Sequence, residues 1–176
     1  MLKFLLFLLI AVVVVMGMPF IGFGKNLDAV CKDAARYFGI DEDEYEVRFV
    51  KRVVSATTGE NVNGTFNIDF EKGVYSIRVQ KSFSRPFTIG VIFHEFAHAA
   101  QHKFNMEDRG DFGKYTREQH AELLAFKMLW STGYWWNGLH MLFMHSFRAK
   151  PKEYLAAGPI WSNALTGASA VSLNIN

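Results

Sequence analysis

The chain has 176 residues, 50% of them hydrophobic and 20% charged, which leaves room for one folded domain and little more. Lysine and arginine total 19 against 17 aspartates and glutamates, and this balance is spread along the chain rather than gathered in a block, which argues against a nucleic-acid partner. The single cysteine, Cys31, excludes both an intramolecular disulfide and a cysteine-based zinc site, so any metal must be held by histidines and carboxylates.

From Phe4 to Phe23 there is no formal charge, and Leu, Phe, Ile and Val dominate, with Lys3 before the segment and Lys25 after it. At about 1.5 Å per residue, this stretch reaches across the ~30 Å hydrocarbon layer, which predicts a single-pass anchor within residues 1–24. A cleaved signal peptide is the alternative. Phe4 to Met16 has the length of a signal's apolar run, and Gly22-Phe23-Gly24 supplies small residues at the spacing a signal peptidase reads. A buried core helix is the third reading. Either membrane reading places the remainder outside the cytoplasm, membrane-anchored or secreted, because the charges ahead of the segment are positive.

Asn26 predicts the cap of a short helix in which Leu27, Val30, Cys31, Ala34, Ala35 and Phe38 recur at helical spacing, with Gly39 as its stop. An acidic cluster from Asp41 to Glu46 leads into Val47, Phe49, Val53 and Val54, read as one strand followed by a turn through Gly59, Asn61, Asn63 and Gly64. Phe66, Ile68 and Phe70 alternate with polar residues. After Gly73 the alternation resumes at Tyr75, Ile77 and Val79, the pattern of a hairpin. The expected product is a small, mostly antiparallel sheet of about three strands, which needs a helix to cover one face. The next segment supplies one, with Ser84 as cap, Pro86 in the first turn and apolar residues from Phe87 to Ala99. A helix this apolar is expected to be central.

Polar residues from Asn105 to Tyr115, with Gly110 and Gly113, suit a loop. A capping box, Thr116-Arg117-Glu118-Gln119, then opens a helix running through Leu123, Leu124, Phe126 and Trp130 to Gly133. Met128 to Phe147 reads as that helix end plus a second amphipathic helix, with Trp135, Trp136, Met141 and Phe143 in the core or, alternatively, at a membrane interface. Residues 25–150 thus form the domain, and 151–176 a tail with no assigned structure.

The chemistry lies in His94-Glu95-Phe96-Ala97-His98. On a helix, positions i and i+4 share a face, so both imidazoles can hold one Zn²⁺. Glu95 then sits at the edge of the same site, where a carboxylate can hold a metal-bound water and accept its proton. Burying two histidines and a glutamate with no metal would cost several kcal/mol, which weighs against an incidental polar stripe. Catalytic zinc generally takes three protein ligands. Glu107, Asp108 and Asp111 lie on the predicted loop, whereas Glu118 and Glu122 share one face of the following helix, a more rigid support. Glu118 as third ligand and Glu122 as acceptor from a ligand histidine would complete a carboxylate-histidine-zinc arrangement. His120 is the rival third ligand, although it points about 160° away from Glu118 around the helix. His102, one further turn from His98, reads as a polar neighbour. His140, His145 and Tyr115 are candidate hydrogen-bond donors to a tetrahedral oxyanion.

HExxH followed by Arg117-Glu118-Gln119-His120-Ala121-Glu122-Leu123-Leu124-Ala125 resembles the gluzincin metallopeptidases. The second stretch is similar to the Arg-Glu-x-x-Ala-Asp-x-x-Ala pattern of membrane-associated gluzincins of the CAAX-protease-like group. The likeness spans roughly residues 65 to 130, about the size of the compact minigluzincins, and the family has Asp where this chain has Glu122. It implies an α+β zincin-like fold, Zn²⁺ held by His94, His98 and Glu118, Glu122 as orienting partner, and Glu95 as general base in hydrolysis of a peptide or protein substrate. A metzincin is excluded by Gln101 and Phe104, where that pattern has Gly and His. Two other readings stay open at this point: a catalytically silent zincin-fold binding or scaffold protein at a membrane, and a membrane-anchored structural protein with an incidental motif.

Overall fold

A computed structural model of the chain describes residues 26–81, 85–111, 116–138 and 140, together with 6, 9 and 10. The fold is mixed α+β. Helix α1, Leu27–Tyr37, starts where the Asn26 side chain accepts a hydrogen bond from the Asp28 backbone N–H at 3.3 Å. Its apolar stripe of Val30, Cys31, Ala34 and Ala35 is buried. The chain leaves the helix through Gly39 at φ +60°, a conformation costly for any residue with a Cβ, and the Ile40 N–H turns back to the Ala35 carbonyl at 2.9 Å.

Strand β1, Tyr45–Val50, is followed by two short strands, β2 (Val53–Val54) and β3 (Asn61–Val62), and then by β4 (Gly64–Asp69) and β5 (Val74–Gln80). β4 and β5 form the expected antiparallel hairpin, with Gly73 at φ +68° in its turn. The main sheet has the order β1-β5-β4, and β1 lies parallel to β5, pairing Tyr45 with Tyr75 through to Val50 with Gln80. This corrects the expectation of a mostly antiparallel sheet. Alternating burial looks the same whichever way a strand runs, and the connection from β1 to the far side of β5 decides its direction. Val53 and Val54 do not continue β1 either. They pair antiparallel with Val62 and Asn61 in a separate two-stranded ribbon, where the sequence suggested a turn. Phe70 lies beyond the end of β4 and is 86% exposed, because the chain has already entered the hairpin turn.

Helix α2, Arg85–Lys103, packs on the sheet, on α1 and on helix α3, Arg117–Ser131. Ile89, Ile92, Phe93, Phe96, Ala97, Ala99 and Ala100 of α2 are buried, as are Ala121, Leu124, Ala125, Met128 and Leu129 of α3 and the inward residues Ile77 and Val79 of β5. The long apolar helix is central, as its composition predicts. α3 opens on a complete capping box. The Thr116 hydroxyl accepts from the Gln119 N–H at 3.3 Å, and the Thr116 N–H donates to Gln119 Oε1 at 2.9 Å. Two polar ties close the edges of the core: Lys103 Nζ donates to the Gly39 carbonyl at 2.8 Å, and the Tyr134 hydroxyl donates to Asp33 at 2.7 Å.

Trp135 and Trp136 are 41% and 37% exposed, so they do not take the core positions expected of them, whereas Tyr134, Gly138 and His140 beside them are buried. The indole rings instead stack on each other, with centroids 4.0 Å apart. Ser84, Tyr115, Met141, Phe143, His145, the tail 151–176 and most of the apolar segment 1–24 lie outside the described residues. Among the described residues, no helix is long and apolar enough to cross a membrane.

Phe38 is fully buried in the hydrophobic core, so Phe38→Ala should destabilise the protein by about 3–5 kcal/mol in a denaturant titration. Burial pushes the Cys31 thiol up to about 12. The folded protein should therefore not react with a thiol reagent at pH 8, and reactivity should appear only on unfolding.

Candidate metal centre

Helices α2 and α3 and strand β4 meet at one opening of the fold. α2 carries His94 and His98 one turn apart, and α3 carries Glu118 in its first turn. Thr116 as cap puts Glu118 at the second helical position, where the positive end of the helix dipole favours a carboxylate. The two imidazole Nε2 atoms are 3.1 Å apart, and Glu118 Oε2 lies 3.2 Å from that of His94 and 3.4 Å from that of His98. Zinc bonds of 2.0–2.1 Å in a tetrahedral arrangement require ligand atoms about 3.3–3.4 Å apart, so this triangle has the right size and the right donors for a divalent zinc-like cation. The His98 side chain is 8% exposed, that of His94 20% and that of Glu118 70%, which leaves the outer side of the triangle open to water or a ligand.

The electrostatics also favour a cation. Hydrogen bonds from His94 and then His98 hold the Glu118 carboxyl well below the usual carboxylate range, against the effect of its burial. Burial works to lower the pKa of His94. The hydrogen bond to Glu118 and the charges of Glu95, Glu118 and Glu122 outweigh it, so the net shift is upward. The cluster therefore draws positive charge to the point where its three donors converge, whether that charge is a proton or a metal ion.

Glu95 is 5% exposed, and burial pushes its carboxyl up, with His94 and His98 acting in the opposite direction. It lies against the first residue of β4. A Cβ at Gly64 would collide with Glu95 Oε1 and come within 2.7 Å of Val91 Cγ1, so a glycine is needed for this close approach. In the sequence Gly64 has only the signal of a turn; its contact with Glu95 comes from the sheet packing on α2.

Besides the expected Glu122, a second residue meets a ligand histidine. His98 Nδ1 is 2.8 Å from the side-chain oxygen of Gln101, a residue that sequence reading used only to exclude a metzincin. Its spacing of three from His98 on one helix face was the available signal. Glu122 is half-buried and bears on His94 through its charge.

His120 is fully buried outside the triangle, with Nδ1 3.0 Å from Gln101 Nε2, and its burial lowers its pKa to about 4. The helical angle that turns it from Glu118 thus places it behind the site. His102 lies outside as well, 3.4 Å from the Tyr75 hydroxyl. His140 is buried but, like Glu107, Asp108 and Asp111, is not part of the convergent group among the described residues. Tyr115 and His145 lie outside the described residues.

The triangle opens into a cleft of about 840 Å³ that runs along β4. β4 is one of the two edge strands of the main sheet. The Gln80 N–H pairs with the Asn63 carbonyl at 2.8 Å, so by antiparallel alternation Thr65 and Asn67 turn their backbone groups toward β5. Phe66 and Ile68 turn theirs outward, along the cleft.

Zinc titration against a chromophoric chelator should show Glu118→Ala weakening binding by more than about tenfold, while His120→Ala keeps one metal per chain. The opposite pattern would assign the third ligand to His120. No protein-family model, no curated protein and no solved structure matches the chain, so the chemistry of this site carries the functional reading.

Proposed function

We propose that the chain is a zinc metallopeptidase of gluzincin type, an endopeptidase with a zincin-like fold in which His94, His98 and Glu118 hold Zn²⁺ and Glu95 is the general base. One observation carries this reading: two Nε2 atoms and one carboxylate oxygen converge at zinc-compatible distances, beside a buried carboxylate and at the end of a cleft walled by an open sheet edge. When bound, zinc lowers the pKa of a water and polarises a carbonyl, the two requirements of amide hydrolysis.

The remaining work falls to the protein. An extended peptide lying in the cleft can pair with the outward N–H and C=O groups of Phe66 and Ile68 as an added strand, which holds its backbone in register beside Glu95. The Glu95 carboxylate takes one proton from the attacking water and returns it to the departing amine nitrogen, so that hydrolysis adds one water across the C–N bond and leaves the enzyme unchanged. Gly64 keeps space for that carboxylate next to the strand. The apolar segment within residues 1–24 would tether the domain to a membrane on its extracytoplasmic side, or export it if cleaved. The substrate is then a protein or peptide, with no part for nucleic acid.

Cleavage of a peptide library by the zinc-loaded full chain, followed by mass spectrometry, tests the reading. Activity should be lost with a chelator and restored by zinc, and Glu95→Gln should lower turnover by about 10²–10⁴-fold with the metal retained. A fully active Glu95→Gln would contradict the mechanism. Gly64→Ala should also reduce turnover at least about tenfold while zinc stays bound, because the added methyl displaces Glu95 rather than a ligand. Zinc retained with no cleavage of any peptide would favour a silent binding protein instead.

A further inference from the structure

We infer that Gln101 is a positioning residue, whose side-chain amide selects the nitrogen that His98 presents to the cluster and ties the helix bearing both histidines to the helix bearing Glu118. The inference rests on the metal-binding reading of the cluster, not on peptidase activity. Gln101 is 3% exposed, so its amide must find its partners within the protein. One end of that amide lies 2.9 Å from the carbonyl oxygen of Arg117. A carbonyl oxygen only accepts, so the amide atom facing it must be the nitrogen, which fixes the orientation of the whole group.

The rest follows by donor and acceptor bookkeeping. The amide oxygen then faces His98 Nδ1 at 2.8 Å, and since that oxygen only accepts, His98 must carry its proton on Nδ1. A neutral imidazole has one such proton. In the neutral form that ligates a metal, Nε2 is therefore left as a lone pair, and it is Nε2 that lies 3.1 Å from His94 Nε2 and 3.4 Å from Glu118 Oε2. The second amide hydrogen points at His120 Nδ1, 3.0 Å away, which must accept, so His120 carries its proton on Nε2. Every hydrogen-bonding group of the Gln101 amide is thus assigned. Two histidine tautomers follow from one backbone carbonyl, which belongs to the residue next to Glu118.

The arrangement also sets distance. Gln101 is three residues past His98, and Arg117 is the first residue of α3, so the bond between them links the ligand-bearing turn of each helix directly. A glutamine does this without adding charge behind His98, where an aspartate or glutamate would bring a buried negative group.

The test is ¹⁵N NMR of the histidine side chains in the full chain, zinc-loaded, in detergent. His98 should be protonated at Nδ1 with a slowly exchanging proton, and His120 at Nε2. A proton on the other nitrogen of either ring overturns the inference. In Gln101→Met, which keeps the bulk and loses the hydrogen bonds, the His98 Nδ1–H should exchange with water at least about tenfold faster, and zinc affinity should fall about 10- to 100-fold with helix content unchanged. Unchanged exchange and affinity in that variant also overturn it. Should Gln101→Met not fold, the native tautomers alone decide. A native protein with both tautomers as assigned, zinc bound and no peptide cleaved would retire the peptidase reading and support the role of Gln101; cleavage accompanied by the opposite His98 tautomer would do the reverse.

Discussion

A helix packed on several sides cannot carry two imidazoles and a carboxylate on one face unless something compensates their loss of water. In α2 that compensation is local and specific. His98 gives one nitrogen to Gln101, and both histidines turn the other toward Glu118, while Glu95 is confined between its own helix and the first residue of β4. The surrounding structure follows from that requirement. The sheet buries the apolar side of the helix, α3 brings the compensating carboxylate, and the polar face opens into the cleft along β4.

Small residues allow these parts to come close. The two ligand-bearing helices pack on each other, and Ala97 and Ala100 on α2, with Ala121 and Ala125 on α3, are completely buried in the shared core. Gly64 allows the close approach between sheet and helix. The capping box then fixes where α3 begins, and with it the place of Glu118 in the helix's first turn. Tight packing and a fixed helix start are both needed to hold three ligand atoms within a few tenths of an ångström of a zinc-sized triangle.

Local chemistry was legible in the sequence where one short segment contained its own explanation. Asn26 as cap, Gly39 as stop, the Gly73 hairpin and the Thr116-Gln119 box all appear in place, because each depends on neighbours within four residues. His94 and His98 were legible for the same reason, since a spacing of four puts both on one helix face, whereas Glu118, on another helix, was legible only through its place beside Glu122 and the resemblance of the surrounding motif. Whatever depends on long-range packing was not. The parallel direction of β1, the β2–β3 ribbon and the contact of Gly64 with Glu95 leave no periodic trace. Trp135 and Trp136 leave the core arm of their reading because hydrophobicity alone does not tell a core aromatic from one that stacks on a neighbour at the surface. Gln101 was overlooked because an uncharged amide becomes informative only once its three partners are known.

The central claim is that the three converging donors exist to hold one zinc ion. Elemental analysis of the full chain, purified in detergent from zinc-buffered medium and checked for folding, addresses it most directly. About one zinc per folded chain is expected, as a three-ligand site requires. Folded protein that retains no zinc would contradict it, and would leave His94, His98 and Glu118 as a polar cluster held together by protons.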